Sequence, residues 1–127
     1  MKTKIIWLVL ALAVAGAIVL VSMKKNVRPA AATASLQTDG RQFIEVVAKE
    51  GYTPREITAK AGVPLTLKMK TQDNFNCTSA FTIPSLGLRM NLPPTGETAI
   101  EIPAQKTGET LRGVCGMGMY SFTITFT

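Results

Sequence analysis

The strongest constraint on this chain is a two-residue alternation that recurs through its C-terminal two-thirds. Phe122, Ile124 and Phe126 alternate with Thr123 and Thr125, and Leu65, Leu67 and Met69 alternate with Thr66, Lys68 and Lys70. Ile100 and Ile102 flank Glu101, and Ile57 and Ala59 have charged or polar neighbours. Successive side chains of a strand point to opposite faces, so each such segment has one apolar face and one wettable face. The pattern predicts strands over Phe43–Ala48, Glu56–Lys60, Leu65–Lys70, Ala80–Ile83, Thr98–Ile102, Leu111–Cys115 and Tyr120–Phe126. Gly51-Tyr52-Thr53-Pro54 and Ala61-Gly62-Val63-Pro64 break the run as turn signals. No stretch of this region has helical periodicity with caps. Short strands with turns about every 8–12 residues predict an all-β, two-sheet sandwich, with a small barrel as the alternative.

The N-terminal part obeys a different rule. Ile5–Met23 is an uncharged run of nineteen residues, preceded by Lys2 and Lys4 and followed by Lys24, Lys25 and Arg28. A bilayer-spanning helix needs about 17–25 apolar residues, and Trp7 suits an interfacial position. A cleavable signal peptide is the rival, since Ala32-Thr33-Ala34 has a small-x-small pattern. The basic cluster between run and site favours an uncleaved, single-pass transmembrane helix. Positive charge flanks both ends, so the positive-inside bias is nearly balanced. Either reading exports the C-terminal part to the extracytoplasmic side. The expected organisation is an anchor with basic flanks over residues 1–28, a flexible tether over 29–38, and one β domain over 39–127.

A net charge of +6 invites a nucleic-acid reading, but its distribution argues against one. Residues 1–38 carry five Lys or Arg and no acid, whereas residues 39–127 carry nine basic and eight acidic side chains. The excess is therefore juxtamembrane, where it holds an anchor beside anionic lipid. No nucleic-acid partner is expected.

The chemistry-bearing segment is Cys115-Gly116-Met117-Gly118-Met119, read with Cys77 and the absence of histidine from the whole chain. Thiolate and thioether are soft donors that select Cu(I), and two glycines allow a tight bend. A loop is expected here, because glycine weakens strand interiors. The bland alternative is that the methionines fill a corner of the core. For the cysteines, it is a Cys77–Cys115 inter-sheet disulfide, worth about 2–4 kcal/mol. The disulfide explains two residues. A Cu(I) site explains Cys77, Cys115, Met117 and Met119 together, and a redox-dependent exchange between the two states remains open.

In order along the chain, Gly51-Tyr52-Thr53-Pro54, Ala61-Gly62-Val63-Pro64, Cys77, Ile83-Pro84-Ser85-Leu86-Gly87-Leu88 and Cys115-Gly116-Met117-Gly118-Met119 resemble the plastocyanin-like cupredoxins, in a sulfur-rich, histidine-free form. The resemblance implies a Greek-key β-sandwich with copper at one end. It places Cys77 where relatives have an upstream histidine and matches Cys115 to their cysteine ligand. Met117 and Met119 then replace the downstream histidine and methionine. A blue-copper centre uses two histidines and a cysteine. Without histidine, Cu(II) is poorly served and Cu(I) capture is favoured over electron transfer.

The expected protein is thus a membrane-tethered copper-binding domain for copper handling, delivery or resistance. A copper donor or acceptor protein is its expected partner, and no organic substrate is expected. A disulfide-stabilised interaction module without metal and an electron-transfer copper protein are the alternatives. Enzyme activity is not expected, because there is no histidine, carboxylate pair, nucleophile elbow or phosphate loop. Arg89 and Met90, near the Leu86–Leu92 loop, are candidates to line the metal end or contact a partner, but a solvated arginine is the simpler account.

Overall fold

The computed structural model describes residues 1, 3–11, 13 and 31–127. Its strands are β1 (Ala32–Thr33), β2 (Ser35–Leu36), β3 (Gln42–Ala48), β4 (Tyr52–Thr53), β5 (Glu56–Ala59), β6 (Leu65–Thr71), β7 (Ala80–Ile83), β8 (Leu88–Asn91), β9 (Gly96–Ile102), β10 (Thr110–Cys115) and β11 (Ser121–Phe126). They form two sheets. One has the order β1-β5-β11-β10-β7-β8, and the other has the order β2-β3-β6-β9 with β4 also paired to β3.

The alternation read from the sequence is the alternation of burial. Leu65, Leu67 and Met69 of β6, and Phe122, Ile124 and Phe126 of β11, are buried, while the residues between them are partly open. Ile57, Ala59, Ile100 and Ile102 fill the same interior from β5 and β9. Burying a large aliphatic or aromatic side chain contributes about 1.5–3 kcal/mol, so this shared core holds the two sheets together.

Two ends of the sandwich can be told apart. Chain reversals containing Gly40, Gly62 and Gly108 close one end, where buried Gln42 donates to the carbonyls of Lys60 and Val63 at 2.7 and 3.1 Å. The reversals at residues 72–79 and 116–119 close the other end. An aromatic cluster lies beneath this second end. Phe81 and Phe122 stack with centroids 5.8 Å apart, and Tyr52 meets both edge-on at 6.0 and 5.2 Å. Gly113 makes the stack possible, because a Cβ there would lie 2.4 Å from the Phe122 ring and 2.8 Å from Phe81.

Three differences from the sequence reading have physical reasons. First, Ala32–Thr33 and Ser35–Leu36 within the expected tether are strand. β1 runs parallel to β5 (Ala32 beside Ile57) and β2 antiparallel to β3 (Ser35 beside Phe43), so one extended segment passes from sheet to sheet. Its small polar residues carry no periodicity, and only the exposed sheet edges recruit it. Second, β8 was not expected. Its residues alternate too weakly to announce a strand, and pairing with β7 (Met90 beside Phe81) forms it. Third, Gly51–Pro54 is a break that still contains the two-residue β4.

The Ile5–Met23 run falls largely outside the described residues. Residues 3–11 and 13 are helical. Among the described residues, no helix is long and apolar enough to cross a membrane.

Candidate metal centre

Cys115 is the last residue of β10 and is buried, at 1 % exposure. The four residues after it form a tight reversal. Gly118 N–H donates to the Cys115 carbonyl at 2.8 Å, and Gly118 adopts φ +72°, a conformation in which a side chain would be strained. Cys115 N–H donates to the Tyr120 carbonyl at 3.0 Å, which closes the loop. Gly116 is pressed against β7. Its N–H donates to the Ala80 carbonyl at 2.7 Å, and a Cβ would stand 3.1 Å from the Ala80 side chain.

The reversal aims backbone donors at sulfur. Tyr120 N–H donates to Cys115 Sγ at 3.4 Å. Burial by itself would push the Cys115 thiol up. The Tyr120 amide, the Cys77 thiol and the two methionine amides outweigh it and hold the group below the ordinary thiol range.

Cys77 opens a 3₁₀ turn (Cys77–Ser79) just before β7. A buried polar network fixes this turn. Thr78 Oγ1 donates to the Lys49 carbonyl at 2.7 Å and lies 2.6 Å from Asn76 Oδ1 and 3.1 Å from Asn74 Oδ1. Asn74 Nδ2 donates to the Ala48 carbonyl at 3.0 Å, and the Tyr52 hydroxyl donates to the Thr78 carbonyl at 3.4 Å. These bonds tie the loop after β6 to the end of β3. Sequence reading passed over Asn74, Thr78 and Tyr52. A Thr or Asn in a polar loop gives no sign that it will be buried, and only their shared attachment to β3 reveals the role.

The two cysteines meet. β7 and β10 are neighbours, with Cys115 paired to Phe81, so the turn before β7 lies beside the end of β10. Each thiol lies near enough to shift the proton affinity of the other. Burial first, and then the Cys115 sulfur, push the Cys77 thiol up. Both residues are free thiols in this structure. Cys77 leads into β7 and Cys115 ends β10, neighbouring strands of one sheet, so a bond between them would not be the inter-sheet disulfide that the sequence suggested.

The methionines are not gathered with them. Met117 is 76 % and Met119 67 % exposed, so the core-filling alternative does not describe them. They stand on the loop tip above the thiol pair. Arg89 lies exposed on β8 beside Thr82, and Met90 packs partly buried against the core.

The donor set suits a soft monovalent ion. Among the described residues, no three His, Cys, Asp or Glu side chains converge. Sulfur is what this end of the sandwich offers: two neighbouring free thiols and two exposed thioethers on the adjoining loop. Thiolate and thioether match Cu(I) better than harder metals.

The whole folded region has known relatives. Residues 10–126 match the model of the cupredoxin-like domain, and the chain belongs to this family. It is similar to the metal-binding domain, with Cu(I), of the Cu(I)-exporting P-type ATPase CopA of Streptococcus pneumoniae. The identity is 25% and the TM-score 0.70, over 79% of this chain and 98% of that one. It is also similar to a copper-binding protein whose apo form was determined in solution. Here the identity is 28% and the TM-score 0.70, over 79% of this chain and all of the other (100%). Among curated proteins, no relative matches.

Proposed function

We propose that this protein captures Cu(I) at the thiol end of the sandwich. Cys77 and Cys115 serve as thiolate donors, and Met117 and Met119 as thioether donors. The observation that carries the reading is the proximity of the two free thiols at the end of the sandwich whose loop presents two exposed methionines. The two copper-binding neighbours support the choice of metal. Copper is cargo here, and no reaction step is assigned to the site. Its work is to hold one soft ion away from solvent and release it to a partner with comparable donors, which fits copper handling, delivery or resistance.

The reading includes an anchor. Residues 1–28 hold the chain in a membrane, with the β-sandwich on the extracytoplasmic side. The uncharged Ile5–Met23 run supports this, and an intact N-terminal peptide in the membrane fraction is the expected finding. A mature terminus near Ser35 would overturn it.

The test of the metal reading is Cu(I) content and thiol count in full-length protein purified anaerobically. Two titratable thiols before loading, and retained Cu(I) after challenge with a chelator, are expected. Two free thiols with no retained copper would overturn the proposal. No free thiol without reductant would favour the disulfide module, a reading that the same thiol proximity supports.

A further inference from the structure

We propose that the thiol-bearing end of the sandwich faces the lipid bilayer, with Phe75, Met117 and Met119 directed at its surface. The inference rests on the anchor reading above and adds an orientation to it.

The first argument is strand direction. β11 starts at the copper end, just after the 116–119 loop, and runs away from it. β5 is parallel to β11, with Glu56 beside Thr123 and Ala59 beside Phe126. β1 is parallel to β5, with Ala32 beside Ile57 and Thr33 beside Thr58. Traced backwards from Thr33, the chain therefore climbs towards the copper end. Ala31 continues the climb and lines a shallow cleft of ≈ 270 Å³ with Glu56, Ile57 and Thr123. The polypeptide joins the domain from the side that carries the thiols.

The second argument is reach. The eight residues from Lys24 to Ala31 connect the apolar run to this point, and extended they span at most about 29 Å. The two ends of the sandwich are separated by about 20–25 Å along its seven-residue strands. To point the copper end outward, the chain would have to reverse after Ala31 and spend most of that reach running back along the domain. To point it inward, the chain only continues in its existing direction.

The third argument is surface chemistry. Of the large apolar side chains exposed on the sandwich, Phe75 at 82 %, Met117 and Met119 crown the thiol end, while Leu36 is single at the opposite end and Val47 lies on the face of β3. Phe75 stands two residues before Cys77, and the methionines follow Cys115. Exposed apolar groups clustered at one place mark an interaction surface. Here that surface lies on the side from which the tether arrives. The consequence is that Cu(I) enters and leaves close to the membrane rather than from bulk solvent.

The test uses the full chain, isotope-labelled, in lipid nanodiscs doped with a gadolinium-chelate headgroup lipid. Amides of Phe75, Gly116 and Gly118 should relax several-fold faster than those of Gly40, Gly62 and Gly108 at the opposite end. Phe75→Glu should reduce that enhancement, and no reduction would overturn the role given to Phe75. Equal enhancement at both ends, or stronger enhancement at Gly40 and Gly108, would overturn the orientation while leaving the anchor standing. A chain that does not co-purify with nanodiscs would overturn the anchor, and this orientation with it.

Discussion

Tyr120 N–H donates to Cys115 Sγ at 3.4 Å, across the four residues that carry both exposed methionines. The contact joins two roles of one short loop. Its backbone stabilises a thiolate, and its side chains offer thioethers to the same neighbourhood. Gly116 and Gly118 permit both, one by lying flat against Ala80 and the other by its positive φ.

The four proposed donors should not be equivalent. Cys115→Ser is expected to abolish chelator-resistant Cu(I) binding, because it removes the more readily ionised sulfur. Cys77→Ser should have nearly the same effect. Met117→Leu and Met119→Leu should each weaken binding more mildly. Both methionines are exposed, so these swaps should change stability by less than about 0.5 kcal/mol. Competition against a Cu(I) chelator separates the cases. Unchanged affinity in the Met117→Leu, Met119→Leu double variant would remove both thioethers from the site. Loaded protein should also lack the intense visible band of a Cu(II)–thiolate bond.

The reduced apo protein should be most stable near the ordinary thiol pKa, about 8.5. Cys115 is held below that value, so its contribution is full above it and fades as pH falls through the folded-state pKa. Cys77 is pushed up, so its contribution is full below the unfolded value and is lost as pH rises through the folded one. Unfolding midpoints from about pH 6 to 10, referenced to the Cys77→Ser, Cys115→Ser variant, should show this maximum. A flat difference would mean that the thiols do not share a proton.

Thr78→Val tests the support under Cys77. Valine keeps the shape but leaves the Lys49 carbonyl without the donor it has at 2.7 Å from the buried Thr78. The expected loss is about 1–3 kcal/mol in denaturant unfolding, together with weaker Cu(I) binding as the turn loosens. Full stability with lost affinity would instead point to a direct contact between Thr78 and the ion.

Gly113→Ala should be the most damaging single-methyl addition in β10. The new Cβ would sit within 2.4 Å of Phe122 and 2.8 Å of Phe81, whose rings are locked against Tyr52. Overpacking of this kind costs about 1–3 kcal/mol, sometimes more. Thermal unfolding measures it, and an unchanged midpoint would show that the stacked pair has room to separate.

The sequence by itself determined the two faces of each long strand. Leu65-Thr66-Leu67-Lys68-Met69 can bury one side only, whatever packs against it, and Phe122-Thr123-Ile124-Thr125-Phe126 likewise. It also determined the sulfur inventory and the bend between Cys115 and Tyr120, because alternation and glycine placement are local properties. Tertiary structure decided the rest. Cys77 meets Cys115 only because β7 lies beside β10, a pairing between residues far apart in the chain. Ala32–Thr33 and Ser35–Leu36 become strand only because β5 and β3 leave edges open to them. Asn74 and Thr78 become supports only because Ala48 and Lys49 end up above them. Each of these is a long-range contact, and no period or propensity within the segment encodes its partner. The core faces could therefore be read along the chain, while the meeting of the thiols had to wait for the sheets to assemble.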